Sequence, residues 1–348
     1  MSRNLLIAIA VVVVVVVGGI AAYRIYFSGP PALTETVTVK EYVGGVTSSA
    51  PQDYAAQTEG IFAKYNLKVE FVVLSGTSQA VQAVAADRTG LAYVQGDILD
   101  QMLIADQNPD APALVAIAAT QPLNPVALVF LEKSGIKNPS DLVGKKIGVP
   151  TGSLSEQYLN VFLQKQGVDK SKVTVLNVGF AALHPALLQG QVDVVCEFAR
   201  GIGSLQLAAP QERVKSFLFG DFQMPTPLGA VVIQKSLLDT KPSVAKAIAQ
   251  ASTEALYFCA TNPEKCVRDF VDQNQGRDYD QTLAEWKVAL KAQNALDPES
   301  AKKLRPLQLG WFDPALVSKT LPELRTVFGI KRDFDPTSLY TNQFVERP

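Results

Sequence analysis

Three short runs bring hydroxyl groups and glycine together where a helix is expected to begin. They are Thr47-Ser48-Ser49 ahead of Pro51, Gly76-Thr77-Ser78 after Leu74, and Thr151-Gly152-Ser153 after Val149-Pro150. A helix N-terminus presents free N–H groups and partial positive charge, so such starts suit carboxylate, sulfonate or phosphate groups. Ordinary N-capping by serine and threonine produces the same pattern. Asp97 and Glu197 offer the opposite chemistry, each following an apolar run. A carboxylate there accepts hydrogen bonds from a ligand amine or ring N–H, or merely starts a helix or closes a charge pair. Tyr42, Tyr54, Phe198 and Phe222 fall near expected strand ends, either to sandwich a flat ring or as core.

The remaining inventory mostly excludes. A single histidine in 348 residues removes sites that need two imidazoles: the zincin helix, most catalytic zinc centres and the iron facial triad. That histidine, His184, precedes Pro185 at an expected helix start with no serine or cysteine motif beside it, so no enzyme is expected. Gly201-Ile202-Gly203 lacks the spacing of a dinucleotide fingerprint, and there is no G-x-x-x-x-G-K-[ST] run. No cofactor and no metal are therefore expected. Thirty-two basic against 33 acidic residues, net charge −1, argue against a nucleic-acid partner. Cys259 and Cys266 flank the Asn262-Pro263 break, as a disulfide in an extracytoplasmic domain or as two buried thiols. Cys196 reads as a buried strand thiol.

The elements that must position these groups are short apolar runs alternating with helical patterns. Strands are predicted at 37–43, 69–74, 91–94, 114–118, 126–131, 146–149, 173–177, 192–197 and 230–233. Helices are predicted at 52–65, 78–86, 97–107, 155–166 and 183–189, and from Pro242 onward the pattern is helical, with Trp286 and Trp311 as packing anchors. Such alternation means βαβ units and mainly parallel sheets, whose ligands bind beyond the carboxyl ends of the strands. The order strand, polar loop, helix, strand, acidic residue occurs twice, ending at Asp97 and again at Glu197, which implies two lobes of like architecture. The stretches 119–126, with Pro122 and Pro125, and 224–229, with Pro225 and Pro227, read as extended crossings between them. Two crossings insert the second lobe into the first and make a hinged pair.

The hydrophobic excess sits at the N-terminus. Leu5 to Ala22 is an unbroken apolar stretch of 18 residues, with valine at every position from 11 to 17. At 1.5 Å per residue it spans about 27 Å, near the thickness of a hydrocarbon core. Aromatic residues follow where a cleavage site should be, so an uncleaved signal-anchor is expected, with a cleaved signal as the alternative and the bulk of the chain on the extracytoplasmic side. Ser28-Gly29-Pro30-Pro31 reads as a tether.

Several runs resemble a known family. Leu142-Val143-Gly144-Lys145-Lys146-Ile147-Gly148-Val149-Pro150-Thr151-Gly152-Ser153 is similar to the start of the second lobe in ABC-transporter substrate-binding proteins of the nitrate, sulfonate and thiamine-pyrimidine-precursor group. Ala186-Leu187-Leu188-Gln189-Gly190-Gln191-Val192-Asp193 resembles the same family's helix-glycine-strand element, and Gly60-Ile61-Phe62-Ala63-Lys64-Tyr65 its first helix. Leu339-Tyr340-Thr341-Asn342-Gln343-Phe344 is similar to its tail. The resemblance implies a type 2 periplasmic-binding fold, α/β with two lobes, which here follows the N-terminal transmembrane helix expected from the apolar stretch. With the anchor at 1–27 and the tether at 28–36, this places a first lobe at 37–122 plus 229–348 and a second lobe at 123–228. It also implies a monomer that captures a small organic anion or heteroaromatic and delivers it to an ABC permease and its ATPase, held to the bilayer through residues 5–27. Carried over by position, ligand contacts fall on Ser48, Ser49, Gly76, Thr77, Ser78, Gln95, Asp97, Thr120, Thr151, Gly152, Ser153, Ser155 and Glu197. Pyrimidine-forming relatives carry a cysteine-rich cluster and an active-site histidine. This chain has no such cluster, and an enzyme of that kind or a sensor ectodomain is the alternative.

Overall fold

Period-two alternation in Val37–Val43 (β1) puts Val39, Glu41 and Val43 on one buried face, with Lys40 and Tyr42 on the other. Lys40 and the Tyr42 hydroxyl both reach Asp87 Oδ2, at 3.3 and 2.9 Å. The structure, a computed structural model, describes residues 30–44, 51–74 and 76–348. The expected membrane segment and anchor lie outside the described residues; among the described residues no helix is long and apolar enough to cross a membrane.

Nine further strands follow β1 among the described residues: β2 (Leu67–Val73), β3 (Ala92–Asp97), β4 (Leu114–Gln121), β5 (Val126–Leu131), β6 (Lys146–Val149), β7 (Thr174–Asn177), β8 (Val194–Phe198), β9 (Val214–Leu218) and β10 (Gly229–Gln234). They form two five-stranded sheets with equivalent orders, β2-β1-β3-β10-β4 and β7-β6-β8-β5-β9. Within the first, β1 runs parallel to β2 from Val37 opposite Leu67 to Val43 opposite Val73, and parallel to β3. β10 lies antiparallel to β3 and β4, with Gly229 opposite both Asp97 and Gln121. In the second sheet β5 takes the same antiparallel place between β8 and β9. Each sheet thus receives one antiparallel strand, and in each case that strand follows a proline-bearing crossing.

The crossings lie side by side. Asn124, buried, donates from Nδ2 to the Pro225 carbonyl at 2.6 Å and accepts from Val126 N–H at 2.9 Å. Leu228, just before β10, sits at φ +61°, a left-handed conformation unusual for a γ-branched side chain. Strand β9 escapes sequence reading because it is a half-exposed edge, Val-Lys-Ser-Phe-Leu, with only Phe217 buried. The helix expected over 52–65 divides into Pro51–Thr58 and Ile61–Lys64, because Gly60 between them is at φ +68°.

C-terminal helices tie the two sheets together. Helix Pro242–Thr261 packs its alanine-rich face on the first sheet. Helix Tyr279–Asn294 crosses helix Gly201–Ala208 of the second sheet so closely that a Cβ on Gly203 would lie 2.5 Å from the Ala284 carbonyl carbon. Asn294 and Gln293, at its end, hydrogen-bond the backbone of Thr120 and Leu123 at 2.5 and 3.0 Å. Trp286 is buried and donates to the Cys259 carbonyl at 3.1 Å, whereas Trp311 is half-buried and its neighbour Phe312 takes the interior place.

Cys259 and Cys266 form a disulfide, with Cα atoms 5.1 Å apart, and Cys196 is a buried free thiol in β8. Closing so short a loop stabilises by roughly 2–3 kcal/mol through the unfolded chain. The double variant Cys259→Ala/Cys266→Ala is therefore expected to lose about that much in urea denaturation. A loss under about 1 kcal/mol would assign the stability of this corner to packing around Trp286 instead.

Candidate functional site

The carboxyl ends of both sheets face a cavity of about 690 Å³. The first sheet and its helices contribute Glu41, Gln52, Asp53, Thr77, Ser78, Gln95, Asp97 and Thr120. The second contributes Gly152, Leu154, Gln157, Phe198 and Arg200, and the C-terminal helices add Gln293 and Phe328. Glycine matters at one edge: a Cβ on Gly44 would lie 2.6 Å from Thr77 Cα, so only glycine lets β1 end against the start of helix Thr77–Ala86.

Of the residues expected here from sequence, Gly76, Thr77, Ser78, Gln95, Asp97, Thr120 and Gly152 line the cavity. Ser48 and Ser49 lie outside the described residues. Several of the lining groups already have internal partners. Ser78 Oγ donates to Asp100 Oδ1 at 2.8 Å. Asp97 caps helix Ile98–Gln107, its Oδ1 accepting from Asp100 N–H at 2.6 Å. Burial, and then the charge of Asp100, pushes the Asp97 carboxyl well above its ordinary range.

Six expected residues are not among those lining the cavity. Tyr54 is core, its ring 4.7 Å from that of Phe71 and 5.3 Å from that of Phe270. Phe222 belongs to the aromatic core of the second sheet, against Phe162 and Phe217. Ser153 caps helix Leu154–Lys165 and donates to the Pro150 carbonyl at 2.6 Å. Ser155 is fully buried beneath β8, and its carbonyl accepts from Cys196 Sγ. Thr151 donates its N–H to Asn177 Oδ1 at 3.2 Å. Glu197 faces away because alternation along β8 sends Phe198, not Glu197, toward the cavity. Both Glu197 oxygens meet His184 Nε2, at 2.9 and 3.1 Å. Burial opposes protonation of His184, but the hydrogen bond and charge of Glu197 and the charge of Glu285 outweigh it and raise the imidazole pKa.

The sequence reading missed a pair of carboxylates. Glu41 and Asp53 are each 1% exposed and meet at the end of the cavity formed by β1 and helix Pro51–Thr58. Tyr93 OH donates to Glu41 Oε2 at 2.7 Å, and Gln95 Nε2 to Asp53 Oδ1 at 3.0 Å. Burial pushes Asp53 up to about 7, partly offset by hydrogen bonds from Glu41 and Gln95. Burial, and then the charge of Asp53, raises Glu41 well above the carboxylate range. Both carboxyls therefore hold their protons below neutrality. Register carried the signal, since Glu41 alternates with Val39 and Val43 and a carboxylate in step with buried valines must itself be buried. Arg200 packs 5.0 Å from the centre of the Phe198 ring, and burial lowers its pKa. Among the described residues no group of histidine, cysteine and carboxylate ligands is placed to hold a metal ion.

Two equivalent α/β sheets, linked by paired crossings and sharing a cavity between their strand ends, define the architecture of periplasmic binding proteins. The periplasmic aliphatic sulphonate binding protein SsuA of Escherichia coli has this fold, superposing with a TM-score of 0.65 over 92% of this chain and 93% of that one at 13% identity. Residues 49–266 match the family described as NMT1/THI5 like, and the chain belongs to that family. A Haemophilus influenzae protein named for thiamine biosynthesis is 30% identical over 220 residues, 62% of this chain and 67% of that one. The taurine-binding periplasmic protein of E. coli is 26% identical over 222 residues, 62% of this chain and 66% of that one. The matched region thus spans about two thirds of each relative.

Proposed function

We propose that this chain is the extracytoplasmic solute-binding component of an ABC importer, held at the cell surface by residues 5–27. A small organic solute of the sulfonate, nitrate or thiamine-pyrimidine-precursor class enters the cavity, and the halves built from 37–122 plus 229–348 and from 123–228 close over it. The closed form then passes the solute to a permease driven by its ATPase, and no chemistry is done on it. One observation carries this reading: a cavity of about 690 Å³ lies between the strand ends of two sheets joined by two adjacent crossings. That volume suits a small organic molecule, and the crossings are the segments on which a hinge turns. The names of the relatives agree with the solute classes.

A thermal-shift screen of the detergent-purified full chain against sulfonates, nitrate and pyrimidines tests the proposal. A solute present at 100 times its Kd should add about 2.7 kcal/mol to the stability. Stabilisation by a solute of these classes, with that solute recovered unchanged, is the expected result. No stabilisation by any small solute, or recovery of a product, would overturn it.

A further inference from the structure

The cavity's end beneath β1 is rich in buried acceptors. Apart from the hydrogen bond that the two carboxyls make with each other, Glu41 Oε1, Asp53 Oδ2, Gln52 Oε1 and Gln95 Oε1 are cut off from water and have no partner. Gln52, 5% exposed, carries the point furthest, because its amide oxygen has no titration to relieve it. An unmet buried acceptor destabilises the fold, and four on three neighbouring elements are complementary to a group that donates. Charge points the same way. Among the described lining residues Glu41, Asp53, Asp97 and Asp100 stand against Arg200. Arg200 itself lies in the field of Glu285 and Glu197. The segment from Gly45 to Ala50, which joins β1 to helix Pro51–Thr58, contains no charged residue. An anion placed here would face two buried carboxyls, whereas a cation would favour their ionised form and could displace a proton from them.

We propose that Glu41, Asp53, Gln52 and Gln95 receive the cationic N–H head group of an organic solute, of the amidinium or guanidinium class. The proposal rests on the cavity being the solute site and narrows that reading by fixing the charge of the solute's buried end, which leaves out nitrate and any sulfonate without a cationic group. An amidinium or guanidinium carries its N–H donors in one plane and pairs with carboxylates through two bonds at once. When the head group arrives, one of the protons held by Glu41 and Asp53 leaves to solvent, so that one carboxylate charge faces the bound cation while the other carboxyl stays neutral. The groups facing the pair are Tyr93 and Gln95 from β3 and Gln52 and Tyr54 from helix Pro51–Thr58. Arg277 acts on the same cluster through Tyr54. Burial holds Tyr93 and Tyr54 protonated through neutrality, so the proton that moves belongs to the carboxyl pair.

Calorimetric titration of the full chain with acetamidine, methylguanidine, methylamine, methanesulfonate and taurine tests this at pH 6, repeated in buffers of different ionisation enthalpy. Acetamidine or methylguanidine should bind more tightly than methanesulfonate and release up to one proton per ligand. The variant Glu41→Gln/Asp53→Asn, shown to be folded by its melting transition, should lose at least tenfold in affinity and all of the proton release. If methanesulfonate or taurine binds instead, with affinity unchanged in the double variant, the head-group proposal fails and the solute-binding reading stands. If no cation probe binds, the proposal also fails; if no solute of any class binds in the wider screen, the solute-binding reading fails with it. Methylamine binding as well as acetamidine would reassign the head group to the ammonium class and overturn the planar assignment.

Discussion

Replacing Phe162 with alanine is expected to lower the stability of the folded chain by about 3–5 kcal/mol, the range for deleting a fully buried aromatic ring. Phe162 is 0% exposed in helix Leu154–Lys165 and stacks face to face on Phe219, 4.6 Å between ring centres and 4° from parallel. Phe222 meets it edge-on at 5.2 Å, and Phe217 lies 6.4 Å away. Four rings so placed cannot close over the hole, because Phe217 is fixed in β9 and Phe219 and Phe222 on the short turn that follows. The consequence reaches the solute site. Phe198, which lines the cavity, packs against this same cluster, so weakened solute binding should accompany the lost stability. Urea denaturation and a solute titration on one preparation check both effects. A stability loss below about 1.5 kcal/mol, with affinity unchanged, would mean that the rings repack and that the cluster does not position Phe198.

The two-sheet plan was legible because its signals are local and repeated. Prolines at 122, 125, 225 and 227 mark extended crossings whatever surrounds them, and β1, β5 and β6 are the predicted strands to the residue. The disulfide was legible as one of two alternatives, since Pro263 starts a new helix and turns Cys266 back toward Cys259. Side-chain direction was less legible. Ending an apolar run, Glu197 is expected at the cavity, yet β8 continues one residue further and the alternation turns it toward His184. Proximity to strand ends points Tyr54 and Phe222 there too, but large rings near a sheet edge gain more by packing on other rings. Asp97 and Ser153 did what such residues do at helix starts generally, which is to cap. The carboxyl pair was missed for a different reason. Glu41 and Asp53 are separated in sequence by a loop, and their meeting depends on β1 and helix Pro51–Thr58 packing as neighbours.

That pair makes the stability of the ligand-free protein depend on pH in an unusual direction for carboxylates. Both pKa values are higher folded than unfolded, Asp53 at about 7 and Glu41 further raised, while the unfolded chain titrates them near 4. Below about pH 4 both states hold the protons and the contribution is complete. As pH rises toward 7 the unfolded chain has released them and the folded protein has not, so stability falls by up to about 1.4 kcal/mol per pH unit for each proton concerned. For Asp53 alone the loss by pH 8 is on the order of 2–4 kcal/mol, since its carboxyl is fully desolvated. An ordinary ion-paired carboxylate does the reverse, losing stability as pH falls. The expected result is therefore a wild-type unfolding free energy that declines between pH 5 and pH 8, and a flatter profile in Glu41→Gln/Asp53→Asn, which gains relative to wild type at the alkaline end. Other groups titrate in both proteins alike, so the difference between the two curves isolates the pair. Parallel curves would show that the pair is ionised throughout and that its charges are met by something other than bound protons. The decline also bears on function, because a solute that neutralises the pair removes the penalty where it is greatest. Its stabilising effect should be larger at pH 8 than at pH 5, which a melting series with and without solute reads directly.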